Sequence, residues 1–261
     1  MSNNGVLLFS FNNEAIRYDK LAKECVRRIT KFLDLPVTVV TDKVIPGLDC
    51  ILTESPNSNS RHYPDYDKNL KFLNGARVNA YDLSPFEKTL VIDTDYLIQS
   101  NLLLRGFDTQ SGVKMSRQAS NIDLSPMPSD MAVLGDSGLR MYWATVLYFD
   151  RSAESSLFFF HWKTILDNWQ FYVDYFRLLG PLVRNDFAVT LALHKLFWKS
   201  GIPSRVDLDL VLQTLPATWS INSLDPLTIS SSSTKKPIRL LPIDVHVLNK
   251  KSILECIDHE G

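Results

Sequence analysis

The opening of the chain, as far as Asp42, constrains the fold more than any other stretch. "GVLLFSF" (Gly5 to Phe11) is a short continuous apolar run, the pattern of a strand covered on both faces. Behind an Asn/Glu start signal, Ile16, Leu21, Cys25, Ile29 and Phe32 recur at near-helical spacing. "PVTVVTD" (Pro36 to Asp42) is a second buried strand of the same kind. Parallel neighbours need a crossover between them, so strand, helix and strand in this order predict a parallel βαβ unit. The expected class is α/β.

A third apolar run, Leu90-Val91-Ile92 in "KTLVIDTDYLIQS", ends in two aspartates one residue apart. Buried strands avoid carboxylates, because an unpaired charge away from water is costly. The spacing is weak evidence alone, since Asp65/Asp67 and Asp207/Asp209 share it. The first of those lies in a polar loop, and the second precedes an apolar run where a strand begins. Only Asp93/Asp95 stands where a buried strand stops, the place at which open α/β sheets bind ligands. Alternate strand residues point to one side, about 6.5 Å apart. Two carboxylates so placed either converge on one Mg²⁺ or Mn²⁺, or divide between a helix cap and an Arg or Lys partner.

The rest of the chain is read more coarsely. "CILTESPNSNSRHYPDYDKN" is rich in Ser, Asn and Pro and reads as a loop. A helix is expected over "LKFLNGARVNAYDLS", ending before Pro85. Turn residues dominate from Gln110 to Arg140, which predicts a long surface excursion with the character of a lid. "MYWATVLYFD" returns to strand character. "SSLFFFHWKTILDNWQFYVDYFRLL" reads as one long aromatic helix and "NDFAVTLALHKLFWKS" as another, with their aromatics in the core. A Ser-rich connection then leads to a last segment, "IRLLPIDVHVLNKKSI".

At 261 residues, 45% hydrophobic and 22% charged, the composition suits one large soluble domain or a domain with a small appendage. A formal net charge of −1 offers no general argument for a nucleic-acid or membrane partner. Cys25, Cys50 and Cys256 have no paired spacing and read as reduced thiols of a cytoplasmic protein, with no zinc site. The first residues carry no basic flank or cleavage site and read as a strand, not a signal peptide. No stretch approaches the ~20 apolar residues that span a bilayer.

Taken together, "VLLFSFNN", "PVTVVTD" and "GARVNAYDLSPFEKTLVIDTDYLIQSNLL" resemble nucleotide-sugar glycosyltransferases of the GT-A fold. The group is the family-8-like one of glycogenin and bacterial lipooligosaccharide galactosyltransferases. There an Asp-x-Asp strand end is followed by an apolar segment and a short polar step, as in "LIQSNLL". "FNN", "RVNAYDLSP", "LVIDTDY", "WATVLYF" and "RNDFAVTLAL" are most similar to phage-encoded members. The resemblance covers Val6 to Asp150 and returns around Asn185 to Leu193. It implies an α/β fold with a Rossmann-like mixed sheet flanked by helices, and a single catalytic domain over residues 1–261, with a nucleotide- and metal-binding half (1–110) and a sugar and acceptor half (140–261).

The same resemblance implies roles for particular residues. Phe11, Asn12 and Asn13 would line the nucleotide base pocket, with Thr41 and Asp42 closing its other side. Asp93, Asp95 and His246 of "DVHVLNKK" would ligate Mn²⁺ or Mg²⁺. Thr94 and Lys250 would contact the donor, Lys250 neutralising the leaving diphosphate. Arg77 would face the donor's diphosphate or sugar, although by itself it reads equally as a surface arginine paired with Asp82 or Glu87. Asp186 would stand beside the sugar, although Asn185 or Asp186 is also a good helix N-cap. Two departures stand out: Trp143-Ala144-Thr145 replaces an Asn-Ser-Gly-like turn, and Phe187 replaces the amide neighbour of Asp186.

The implied activity is metal-dependent transfer of a sugar from a nucleotide-diphosphate sugar, with retention. The acceptor is a glycan, a protein or, for a phage enzyme in the host cytoplasm, a hydroxymethylated DNA base. The rival readings are a nucleotide-sugar-binding or assembly protein without turnover, and a metal-dependent hydrolase or nuclease built on Asp93 and Asp95.

Overall fold

The computed structural model describes residues 4–55, 59–63, 66–108, 112–125, 132–178, 180, 182–234 and 236–260. The opening unit forms as the sequence predicts: β1 (Asn4–Ser10), α1 (Tyr18–Phe32) and β2 (Val37–Thr41). β1 and β2 are parallel, from Val6 opposite Val37 to Ser10 opposite Thr41. Leu21, Ala22, Cys25 and Ile29 of α1 are buried, because spacings of three and four residues put them on one helical face. β3 (Cys50–Leu52) extends the sheet beside β2.

The polar stretch expected as a loop is instead a hairpin, β4 (Asn59–Tyr63) with β5 (Lys68–Phe72). Only Tyr63 and Leu70 in it are buried, too sparse an apolar pattern to mark two strands. Asp65 lies outside the described residues, and Asp67 sits in the hairpin's turn with φ of 48°. The helix expected up to Pro85 shrinks to a 3₁₀ turn, Gly75–Asn79, and one turn of α2 (Ala80–Leu83). β6 (Lys88–Ile92) then runs parallel to β1 in the middle of the sheet.

Beyond β6 the chain crosses to a second sheet with β7 (Tyr96–Leu97). The turn-rich stretch is no plain excursion, since it supplies strands to both sheets. β8 (Lys114–Ser116) ends the first sheet and β9 (Gln118–Asn121) joins the second, while β10 (Val133–Leu134) pairs with β11 (Leu139–Arg140). The parts of the expected lid at 110–111 and 126–131 lie outside the described residues. β12 (Trp143–Asp150), buried at all but its last residue, is antiparallel to both β6 and β8. The first sheet therefore has the order β3-β2-β1-β6-β12-β8, a mixed sheet.

The single long aromatic helix is two helices, α3 (Ala153–Asp167) and α4 (Trp169–Phe176), broken at Asn168. Phe158, Phe159, Trp162 and Trp169 are buried, but Phe160, Phe171 and Tyr175 are exposed, so only one side of this aromatic pattern is core. α5 (Asn185–Leu196) is buried along most of its length and packs on α3 and β12. β13 (Val211–Leu215) starts two residues after Asp209. β14 (Trp219–Leu224), β15 (Leu227–Ser231) and β16 (Ile238–Arg239) form a small antiparallel sheet. β17 (Val245–Val247) and α6 (Lys250–Glu260) follow.

The second sheet has the order β7-β17-β13-β9. β17 is parallel to β13 and antiparallel to β7, setting His246 opposite Tyr96. A central mixed sheet with α1 on one face and α3 and α5 on the other is the architecture the resemblance implies. Arg28, fully buried, ties α1 to the neighbouring elements. Its guanidinium donates to Glu24 (2.6 Å) and to the carbonyls of Ile98 (3.2 Å) and Leu224 (2.8 Å). Among the described residues, no helix is long and apolar enough to cross a membrane.

Candidate active site

β1 and β6 are parallel, so their carboxyl ends open on one edge of the sheet, where α/β proteins bind ligands. Between the end of β6 and the start of β7 stand only Asp93, Thr94 and Asp95. This tripeptide is the seam between the two sheets, and its backbone is tied to each. Asp93 N–H donates to the Thr145 carbonyl of β12 (3.2 Å), and the Asp95 carbonyl accepts from Val247 N–H of β17 (3.0 Å). The register that puts His246 beside Tyr96 brings its imidazole to the same seam. His246 Nε2 lies 3.9 Å from Asp93 Oδ2 and 3.5 Å from Asp95 Oδ2. One donor atom from each of the three residues falls within 4.8 Å of the others. Two carboxylates and an imidazole on that scale suit a divalent ion of the Mn²⁺ or Mg²⁺ kind, with positions left for other oxygen ligands.

Two cations flank the pair. Lys250, at the start of α6, sets Nζ 2.5 Å from Asp95 Oδ2. Arg77, in the 3₁₀ turn, sets Nη1 2.5 Å from Asp93 Oδ1 and donates from Nη2 to the Ala144 carbonyl at 2.5 Å. Arg77 is 7% exposed, so it is not a surface arginine paired with Asp82 or Glu87. The same few residues pull the two carboxyls apart. Burial raises Asp93, with Asp95 and Asp186 adding to it against Arg77 and His246. Burial acts on Asp95 in the same direction, but Lys250 and His246 outweigh it and hold that carboxyl well below the usual range. Burial alone would lower His246, yet Asp95 and Asp93 overcome it and leave the imidazole raised. Low dielectric around close charges is what makes these opposing pushes large.

Asp186 enters from α5. Its Oδ1 accepts from Ala144 N–H (2.9 Å), and its Oδ2 lies 3.7 Å from Arg184. The N-cap reading fails here: Arg184 occupies the cap position without a side-chain cap bond, and Asn185 reaches instead to the Asn74 carbonyl (3.3 Å). The departure at Trp143-Ala144-Thr145 thus acts through its backbone. Ala144 holds Asp186 with its N–H and Arg77 with its carbonyl, while Thr145 holds Asp93.

These groups share one cleft of about 430 Å³. Of the residues singled out in the sequence, Phe11, Arg77, Asp93, Thr94, Asp95, Asp186, His246 and Lys250 line it. Asn12, Asn13, Thr41 and Asp42 are not on its walls. Asn12 accepts from Asp19 N–H (3.0 Å) and Asn13 from the N–H groups of Ala15 (3.0 Å) and Ile16 (2.7 Å), so both side-chain oxygens shape the entry to α1. Thr41 is buried at the end of β2, and Asp42 is exposed. Sequence reasoning missed Tyr18, the hairpin residues Arg61, His62, Tyr63 and Phe72, and Pro216-Ala217 after β13. The alternation of "NSRHY" carried too little apolar character to be read as a strand.

No protein-family model matches this chain, and no curated protein sequence matches it. Solved structures do resemble it. The galactosyltransferase LgtC, in complex with donor and acceptor sugar analogs, is 12% identical over 72% of this chain and 70% of its own, with a TM-score of 0.48. The glycosyltransferase GlyE of Streptococcus pneumoniae TIGR4 is 13% identical over 75% and 44%, with a TM-score of 0.44. The mannosyltransferase PcManGT from Pyrobaculum calidifontis, in complex with GDP-Man and Mn²⁺, is 15% identical over 74% and 51%, with a TM-score of 0.36. The chain is similar to these glycosyltransferases at low identity, and its function is read from the residues of its own cleft.

Proposed function

We propose that the chain is a metal-dependent GT-A glycosyltransferase that moves a sugar from a nucleotide-diphosphate donor to an acceptor, with retention. The observation that carries this reading is the meeting of Asp93, Asp95 and His246, flanked by Lys250 and Arg77, at the carboxyl end of parallel strands. We read residues 1–261 as one catalytic domain. Residues 1–110 supply Phe11, Arg77 and the aspartate pair, and residues 140–261 supply Asp186, His246 and Lys250.

The bond to be broken joins the sugar's anomeric carbon to the diphosphate, and negative charge grows on the departing oxygens. Catalysis needs contacts that strengthen as that charge develops. Asp93, Asp95 and His246 would hold a divalent ion, which supplies Lewis-acid charge to the diphosphate when bound. Lys250 and Arg77 add fixed positive charge beside it, already placed and largely dry. Asp186, pinned through Oδ1 to the Ala144 N–H, presents a carboxylate to the sugar end and positions it there. With retention no strong enzymic base is required, in keeping with a cleft whose carboxylates are held by cations.

Thermal unfolding with UDP, GDP, ADP and CDP, each with and without Mn²⁺, tests the reading. A ligand at 100 times its dissociation constant stabilises the native state by about 2.7 kcal/mol. For a chain of this length that is a rise on the order of 5–10 °C. The expected outcome is such a rise for one nucleotide, only with the metal present. No rise with any of the four would overturn the donor assignment.

A further inference from the structure

Among the described residues, the walls of the cleft carry four basic residues of the Arg and Lys type, and three of them face a carboxylate. Arg77 faces Asp93 at 2.5 Å, Lys250 faces Asp95 at 2.5 Å, and Arg184 faces Asp186 at 3.7 Å. The fourth, Arg61 of β4, faces none among the described residues. Its guanidinium instead lies over the rings of Tyr63 and Phe72, 5.8 and 5.5 Å from their centroids. Stacking of this kind orients the flat cation and leaves its fork of N–H groups uncommitted.

Arg61 lines the same cleft as Lys250. Lys250 is already met by Asp95, so Arg61 is the cation of the two that faces no carboxylate among the described residues. The hairpin that presents Arg61 is itself anchored. Asn13 Nδ2 donates to the Lys71 carbonyl of β5 (2.9 Å), and the hydroxyls of Tyr18 and Tyr63 approach to 3.5 Å.

We propose that Arg61 is a phosphate-binding residue, whose guanidinium meets the diphosphate of the nucleotide-sugar donor beside Lys250. The inference rests on the donor reading above and extends it to the hairpin. A planar guanidinium binds phosphate oxygens two at a time, which the point charge of Lys250 does not do. Arg61 therefore fixes the orientation of the diphosphate while Lys250 and Arg77 contribute charge.

The test is calorimetric titration of the full chain with the four nucleoside diphosphates and their parent nucleosides, in Mn²⁺, for wild type, Arg61→Gln and Arg61→Lys. Arg61 is exposed, so neither substitution opens the core, and an unchanged melting temperature without ligand verifies that. Loss of one charge-assisted contact is expected to weaken the preferred diphosphate by on the order of 10- to 100-fold in Arg61→Gln. Arg61→Lys falls between, and nucleoside binding does not change. Diphosphate binding by Arg61→Gln within twofold of wild type overturns the inference and leaves the donor reading standing. Equal losses for nucleoside and diphosphate place Arg61 on the base and overturn it as well. If wild type binds none of the four, the donor reading itself fails and this inference falls with it.

Discussion

The six-stranded and four-stranded sheets meet at Asp93-Thr94-Asp95, and they are assembled in different ways. In the first, β1, β2 and β6 are continuous apolar runs, the first two joined by α1 and the third reached only after β3, the hairpin and α2. In the second, β7, β9, β13 and β17 are strands of two to five residues drawn from Tyr96 to Val247. The first sheet places the aspartates, and the second brings His246 to them. A site on such a seam has one side whose strands are each marked by a local apolar run and one side whose short strands are recognisable only once distant segments have paired.

The largest expected effect breaks the seam itself. Asp95→Asn should abolish Mn²⁺-dependent nucleotide binding, a loss beyond about 100-fold by calorimetry. Circular dichroism checks that the variant folds, and retention of metal-dependent binding would remove Asp95 from the site. The next pair of substitutions separates the two sheets. Trp162→Ala, under the first sheet, should cost about 3–5 kcal/mol in denaturant unfolding, with Mn²⁺ affinity at the remaining folded protein unchanged. Leu215→Ala, in β13 beside β17, should cost about 2–5 kcal/mol and weaken Mn²⁺ as well, since it loosens the strand that positions His246. Equal effects of both variants on metal affinity would erase the distinction between the sheets.

A smaller effect comes from pH. The neighbouring aspartates raise the His246 imidazole despite burial, so the proton is favoured there up to a higher pH than in a free side chain. Proton and metal compete for the same nitrogen. Mn²⁺ affinity should therefore fall as pH drops below that raised value, by about tenfold per unit for one proton. Titrations at pH 6, 7 and 8 check this, and His246→Gln should flatten the slope. A flat wild-type profile would take His246 out of the ligand set.

How much of this was legible depends on the range of the interactions. The βαβ opening and the aspartate pair at the end of β6 are written in neighbouring residues, through apolar runs and an abrupt stop. The β4–β5 hairpin was not legible, because Tyr63 and Leu70 are its only buried residues and its other positions are polar. The break at Asn168 was hidden for the opposite reason, since aromatics continue on both sides of it and only some of them are buried. Arg77 illustrates the limit of local reading. Asp82 and Glu87 were its near neighbours in sequence, yet its partner is Asp93, reached by folding the 3₁₀ turn over the sheet edge.

By itself the sequence determined the α/β class, the parallel start and the point at which β6 stops in two carboxylates. Each of those follows from hydrophobic burial and local periodicity, which act over a few residues. Only the tertiary structure decided that the side-chain oxygens of Asn12 and Asn13 accept from the backbone at the entry to α1. It also decided that Ala144 links Asp186 to Arg77, and that the hairpin brings Arg61 in as a fourth basic wall residue. Those outcomes depend on backbone hydrogen bonds and ion pairs between segments far apart in the chain. Their register is set by how whole sheets pack, and no local pattern records it.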